Sequence, residues 1–204
     1  MIPPESSRLV TRLGGLPPTF TSAQARQAAL SSRDLSVLLA GGDVDELSRG
    51  VYRRADAPES AHLDLLAVCA RVPHAVVCGE SALALHELID DIPRAVHIAV
   101  ARGARRPSIS FPPVVVSQYS ARTFGLNVER YEAAPGETIP VYDPARSVVD
   151  AMRHRHRIGE TLALAALGRY LRRVGSAGVA DLQRIAGELN AMSIIRPAVE
   201  AVIA

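Results

Sequence analysis

Two short runs in this chain come close to catalytic motifs. Gly79-Glu80-Ser81 begins like the nucleophile elbow Gly-x-Ser-x-Gly, but its fifth position is Leu83. An ordinary helix N-cap at Ser81 explains the same residues. The next run starts with the His-Glu pair of the zinc motif His-Glu-x-x-His, at His86, but ends in Asp90. We therefore predict neither a serine nucleophile nor a metal site, and we expect His86 to pack near the core.

A third run, Asp143-Pro144 followed by Arg146 and Asp150, has two interpretations. In the structural one, Asp143 caps a helix, Pro144 occupies its first turn, and Arg146 pairs with Asp150 one turn later. In the functional one, either aspartate binds a metal-phosphate group and Arg146 clamps a phosphate. The sequence favours the structural interpretation and leaves the other open.

All 23 basic residues are arginines, and the formal net charge is only +2. The chain thus cannot use a lysine in a Walker A loop, a protein-kinase strand or a Schiff base. Only arginines could take a lysine's place against phosphate. Arg106 is one candidate, in a loop that also contains Arg102 and Arg105.

Residues 1–55 have the pattern of a winged helix-turn-helix. Helices are predicted over about 7–13, 21–30 and 33–40, and Thr21 and Gln24 have capping-box spacing. Residues 44–53 alternate around Arg49-Gly50, which is typical of a β-hairpin.

A polar segment, residues 56–60, marks the predicted boundary to a second domain at 61–204. There we expect helices over 62–72 and 81–89 and strands over 74–78, 95–100, 114–119, 128–133 and 138–141. Four more helices are expected over 144–158, 160–174, 179–190 and 195–202. The predicted fold class is α+β: a winged helix-turn-helix followed by a mixed α/β domain that ends in a helical bundle.

Four runs, in order, resemble AbiEi antitoxins of type IV toxin–antitoxin systems. They are Thr-Phe-Thr-Ser-Ala-Gln-Ala (19–25), Leu-Ser-Arg-Gly-Val-Tyr-Arg (47–53), Cys-Gly-Glu-Ser-Ala-Leu-Ala-Leu-His (78–86) and Ile-Pro-Val-Tyr-Asp-Pro-Ala-Arg-Ser-Val-Val-Asp (139–150). The resemblance implies a DNA-binding winged helix that regulates its own operon. It also implies a C-terminal domain that neutralises a nucleotidyltransferase-like toxin, which in mycobacterial relatives modifies tRNA ends.

The resemblance leaves the mode of neutralisation open. Direct binding needs no cofactor or metal, and it is the expected mode. An atypical kinase would instead use ATP and Mg²⁺ to phosphorylate a toxin serine. Its catalytic candidates are Arg106, Asp143, Arg146 and Asp150. A transcriptional regulator without antitoxin activity is a further alternative.

The DNA-binding candidates lie at the start of the third helix and on the hairpin: Ser32, Arg33, Ser36, Arg49 and Arg53. Residues 1–55 hold seven arginines against five acids, so we expect weak binding to operator DNA, by a dimer or a cooperative pair. The alternative is a winged helix that serves only as a protein-interaction or dimerisation module.

The densest acidic stretch supplies the predicted contacts to a cationic toxin: Glu80, Glu87, Asp90 and Asp91. Met1–Glu5 lacks the basic start of a secretion signal, and no apolar run approaches the roughly 18 residues of a membrane span. Both cysteines, Cys69 and Cys78, lie in apolar stretches. We therefore expect a cytoplasmic protein with buried thiols and no membrane contact.

Overall fold

The computed structural model describes the backbone of residues 4–203 and the side chains of residues 8–175 and 177–202. The expectation of no secretion signal therefore concerns residues that lie partly outside this range. The chain forms two compact units. The first comprises residues 1–74, 109–112 and 131–139, and the second comprises 75–108, 113–130 and 140–204.

Helices and a small sheet alternate in the first unit. Its elements are α1 (Pro4–Gly14), β1 (Thr19–Thr21), α2 (Ser22–Gln27), α3 (Ser32–Gly41), β2 (Val44–Ser48), β3 (Val51–Arg54) and α4 (Leu63–Arg71). Strand β3 pairs antiparallel with both β1 and β2, so the sheet order is β1-β3-β2. The predicted hairpin over 44–53 is confirmed, whereas β1 was not predicted.

Local hydrogen bonds explain where the short helices of this unit begin. Thr21 and Gln24 form the predicted capping box at α2, and Ser31 and Asp34 form a second one at α3. Each box satisfies backbone N–H groups that a helix start leaves unpaired. Helix α3 ends at Gly42, whose φ of 74° suits glycine.

The second unit contains a mixed sheet and most of the helices. Its elements are β4 (Val76–Val77), α5 (Gly79–Leu85), β5 (Val96–Ala101), β6 (Val114–Tyr119), α6 (Ala121–Phe124), β7 (Val128–Ala134), β8 (Glu137–Tyr142), α7 (Pro144–Arg153), α8 (Arg155–Ile158), α9 (Glu160–Glu188) and α10 (Met192–Ile203). The sheet order is β6-β5-β4-β8-β7. Strands β5–β6 and β4–β8 are parallel, and β4–β5 is antiparallel. The fold class is therefore α+β, with residues 131–139 of β7 and β8 assigned to the first unit.

The largest apolar cluster joins α7, α9 and α10. Val148, Leu167, Leu182, Ile185 and Ile195 are all fully buried there. Helix α9 is interrupted at Gly175, which has φ 60° and ψ −147°. This break lies between the two helices predicted over 160–174 and 179–190.

The two units divide the chain differently from the predicted boundary at 56–60. Helix α4, expected to open the second domain, belongs to the first unit, as do residues 109–112 and 131–139. Among the described residues, no helix is both long and apolar enough to cross a bilayer.

Candidate functional site

A cavity of about 630 Å³ lies within the second unit. Its walls come from β6, the start of α5, helices α7 and α8, and the loop after β5 that carries Arg102 and Arg106. These segments are far apart in sequence, and the mixed sheet brings them together.

Arg146 is the most enclosed charged group of this cavity, with a side chain only 1% exposed. Its Nε donates to Asp150 Oδ2 at 2.7 Å, and its Nη1 donates to the carbonyl oxygens of Thr123 and Leu126 at 2.9 and 3.2 Å. The guanidinium carbon lies 4.5 Å from the ring centroid of Tyr142. The guanidinium is thus fixed in place.

Asp150 binds two arginines. Its second oxygen, Oδ1, accepts a hydrogen bond from Arg153 Nη1 at 2.9 Å, and its side chain is 3% exposed. Because both carboxylate oxygens accept from guanidinium groups, Asp150 is poorly suited to remove a proton or to bind a metal ion. Its evident role is to hold Arg146.

Two stacked tyrosines lie next to Arg146, and one of them, Tyr119, lines the cavity. The ring centroids of Tyr119 and Tyr142 are 5.7 Å apart, and the Tyr142 hydroxyl donates to the Phe124 carbonyl at 2.8 Å. Burial, assisted by the negative charge of Asp150, raises the pKa of Tyr119 far above its usual value. Burial raises the pKa of Tyr142 as well. Both hydroxyls therefore stay protonated and uncharged at neutral pH.

Two histidines line the cavity in their neutral form. Burial is the main cause that lowers the pKa of both His97 and His154. His97 lies against Gly79, where the Cβ of any other residue would come 3.1 Å from His97 Nδ1. Gly79 also has a φ of 53°, so both space and backbone conformation favour glycine there.

The charge of the cavity is positive. Five arginines line it: Arg102, Arg106, Arg146, Arg153 and Arg157. Two carboxylates, Glu80 and Asp150, oppose them, which leaves three net positive charges. A site of this charge favours an anion.

The structure brings together three of the four residues predicted for phosphate chemistry: Arg106, Arg146 and Asp150 all line the cavity. The fourth, Asp143, does not line it. It caps α7 by accepting from the backbone N–H of Arg146 at 2.7 Å, and Asn127 donates to its other oxygen. The predicted cap, first-turn proline and Arg146–Asp150 pair are therefore all confirmed.

Tyr119 and His154 also line this cavity, and neither was predicted to belong to a site. The alternating run of arginine and histidine over 153–157 was visible in the sequence, but nothing in it showed which members face a cavity. Among the described residues, no group of three or more His, Cys, Asp or Glu side chains could hold a metal ion.

The prediction that Ser81 caps a helix is wrong. Helix α5 begins at Gly79, so Ser81 lies inside its first turn and is 5% exposed. Its Oγ accepts from the His97 backbone N–H at 2.9 Å and so ties α5 to β5. His86 is buried as predicted, with Nε2 2.8 Å from the Tyr142 carbonyl oxygen.

The acidic stretch predicted to contact a toxin is divided. Glu80 lines the basic cavity, whereas Glu87, Asp90 and Asp91 are exposed and do not line it. Asp90 is paired with Arg169, which lowers the pKa of its carboxyl group. Glu87 and Asp91 neither line the cavity nor share the ion pair of Asp90, so they remain the best candidates for contacts to a toxin.

The residues predicted to bind DNA lie in the first unit, and four of them are exposed: Ser32, Arg33, Ser36 and Arg49. The prediction that Arg53 binds DNA is wrong, because its side chain is buried, at 6% exposure, and cannot approach a phosphate. Its Nη1 donates to Glu137 Oε2 at 2.5 Å and to Thr19 Oγ1 at 2.7 Å. Arg53 instead links three segments of the first unit.

No protein-family model and no curated protein matches the chain. Among solved structures, the chain is similar to the Rv2827c protein from Mycobacterium tuberculosis, with a TM-score of 0.67 and 18% sequence identity. The match covers 99% of this chain and 78% of that protein. At this level of identity, what the two proteins share is the fold.

Proposed function

We propose that this protein is an antitoxin whose first unit is a DNA-binding winged helix-turn-helix. The observation that carries the DNA-binding part is the element order α1-β1-α2-α3-β2-β3 with the antiparallel sheet β1-β3-β2. This order supports a winged helix-turn-helix in which α3 is the recognition helix and the β2–β3 hairpin is the wing. Ser32, Arg33 and Ser36 then face a major groove, and Arg49 at the hairpin turn approaches a phosphate.

The partner we propose is a nucleotidyltransferase-like, tRNA-modifying toxin. The support is the resemblance of four runs to AbiEi antitoxins. Two of those runs lie at structured junctions: residues 78–86 join β4 to α5, and residues 139–150 join β8 to α7. Neutralisation occurs by direct contact in the cytoplasm, with Glu87, Asp90 and Asp91 at the interface.

Co-expression tests the antitoxin proposal. The neighbouring toxin gene alone should stop growth, and adding this chain should restore it, with both proteins co-purifying. Charge reversal of two exposed acids, Glu87→Arg with Asp91→Arg, should abolish rescue. The matched control is Glu200→Arg, at an exposed position on α10, which should rescue fully. Failure of the unaltered chain to rescue, with both proteins soluble, would refute the proposal.

A mobility-shift titration on the promoter of the chain's own operon tests the DNA-binding proposal. Arg33→Ala should lose sequence preference, while Arg49→Ala should weaken binding to all sequences alike. The control is Arg196→Ala, at an exposed position in the second unit. If no shift appears at low salt and high protein concentration, the first unit is an interaction module. A mobility shift, combined with failure to rescue growth in the co-expression test, would instead indicate a transcriptional regulator without antitoxin activity.

One observation favours an atypical kinase as the second candidate: Arg106, Arg146 and Asp150 share one cavity. Against it, both oxygens of Asp150 are engaged by arginines and Asp143 is occupied as a helix cap. Intact-mass analysis of the toxin incubated with ATP and Mg²⁺ separates the two candidates. A gain of one phosphate only in the presence of this chain supports the kinase. The same gain without the chain excludes it as the necessary catalyst.

A further inference from the structure

We propose that the basic cavity of the second unit binds a nucleoside diphosphate or triphosphate. The step is reversible binding, with no bond made or broken. This inference goes beyond the antitoxin and DNA-binding proposals and depends on neither of them. It concerns the same cavity as the kinase candidate but requires no phosphate transfer. Four properties of the cavity support it: exposed cations at the rim, one fixed cation at the base, a net charge of three, and walls that suit a ring.

The rim supplies arginines that are free to bind an anion. The side chains of Arg102 and Arg157 are exposed and form no hydrogen bond or ion pair with another described residue. Arg106 makes one long hydrogen bond, from Nη2 to the Val116 carbonyl oxygen at 3.3 Å. Guanidinium groups bind phosphate oxygens in a forked, two-bond geometry, so three such groups at one rim favour a ligand with more than one phosphate.

The base of the cavity supplies a cation that is already oriented. Asp150 and the carbonyl oxygens of Thr123 and Leu126 hold Nε and Nη1 of Arg146, which lines the cavity. Because Arg146 is immobilised before any ligand arrives, binding there costs little side-chain entropy. A network of salt bridges that only stabilises the protein surface would not need an arginine buried as deeply as Arg146.

Charge and shape together indicate a nucleotide and not a bare phosphate. Three net positive charges correspond to a di- or triphosphate. The cavity volume of about 630 Å³ lies within the 300–1,000 Å³ typical of small-molecule sites. Val115, Ile158 and Tyr119 provide apolar and aromatic wall. The neutral imidazoles of His97 and His154 can both donate and accept hydrogen bonds to a base or a sugar.

Isothermal titration calorimetry on the full chain tests the proposal, with EDTA present so that no metal bridges protein and ligand. The ligands are ADP, ATP, GDP, GTP, CDP, CTP, pyrophosphate and adenosine. At least one nucleotide should bind about tenfold more tightly than pyrophosphate, and adenosine should bind more weakly still. Arg106→Ala and Arg157→Ala should each weaken nucleotide binding by about tenfold.

The matched control is Arg105→Ala, since Arg105 is exposed in the same loop as Arg106 but does not line the cavity. It should change affinity by less than about twofold. Circular dichroism confirms that each variant is folded. Three results would overturn the proposal: no binding by any nucleotide at about 1 mM, equal loss in Arg105→Ala and Arg106→Ala, or pyrophosphate binding as tightly as the best nucleotide.

Discussion

At the scale of single residues, the buried pair of Arg146 and Asp150 governs the second unit. Both side chains are almost completely enclosed, and the aspartate also binds Arg153. Taking two charges out of water is costly, and the hydrogen bonds on both partners offset that cost. The pair holds the guanidinium of Arg146 in a single position, which defines the geometry of the site.

Removing only one charge of this pair should therefore destabilise the fold strongly. We expect Asp150→Asn to lower the free energy of unfolding by about 3–5 kcal/mol, because Arg146 would remain buried without a carboxylate. Urea unfolding followed by circular dichroism measures the loss. The double variant Arg146→Met with Asp150→Leu should lose much less, since no charge stays buried. A double variant as unstable as the single one would contradict this explanation.

Three partly buried histidines should make stability depend on pH near neutrality. Burial lowers the pKa of His62, His97 and His154 below their unfolded value of 6.5. The unfolded chain therefore binds more protons than the folded one, and stability should fall as the pH drops from about 7.5 through 6.5 towards the lowered values. Thermal unfolding between pH 7.5 and 5.5 measures this, and His154→Gln should flatten the dependence. A melting temperature that rises on acidification would refute it.

At the scale of elements, the capping box before α3 fixes where the proposed recognition helix begins. The backbone N–H and hydroxyl of Ser31 both donate to Asp34 Oδ2 at 2.7 Å, and the Asp34 backbone N–H donates back to Ser31 Oγ at 3.2 Å. These bonds also lower the pKa of Asp34. The start of α3 is thereby defined by side chains that lie outside the apolar core.

We expect Ser31→Ala to lower the free energy of unfolding by about 1 kcal/mol, because the N-terminal backbone N–H of α3 loses its acceptor. The control is Ser36→Ala, whose hydroxyl donates only to the Ser32 carbonyl within the helix at 3.0 Å and should matter little. Chemical denaturation of the two variants compares them. Equal effects would show that the box does not stabilise the helix.

The elements visible in the sequence are those whose causes are local. Periodicity, Arg49-Gly50 and Asp143-Pro144 predicted the hairpin and α7. Strand β1 has only three residues, Thr19–Thr21, and exists because β3 lies beside it. The role of Ser81, the burial of Arg53 and the shape of the cavity likewise depend on partners distant in sequence, which no window of neighbouring residues contains.

At the scale of the whole molecule, the small net charge of +2 limits how strongly the protein can bind a polyanion. The proposed DNA contacts include only two cations, Arg33 and Arg49, now that Arg53 is buried. The chain therefore differs from nucleic-acid-binding proteins that rely on dense basic surfaces.

We expect a shallow dependence of operator binding on salt. With one or two phosphates neutralised by each protomer of a dimer, a plot of log K against log salt should have a slope on the order of −2 to −4. Fluorescence anisotropy at several salt concentrations measures it, and Arg49→Ala should make the slope less negative by about one unit per protomer. A slope steeper than about −6 would mean that other arginines reach the DNA.

The buried ion pair of Arg53 and Glu137 also bears on how the protein emerges from the ribosome. The two residues are 84 positions apart, so the carboxylate that neutralises Arg53 is made long after the hairpin that carries it. At roughly 5–20 residues per second, the delay is about 4–17 s. During that interval the guanidinium of Arg53 must stay hydrated, although it is buried in the folded first unit. A gene fragment that stops at residue 55 would permanently leave Arg53 without the carboxylate of Glu137.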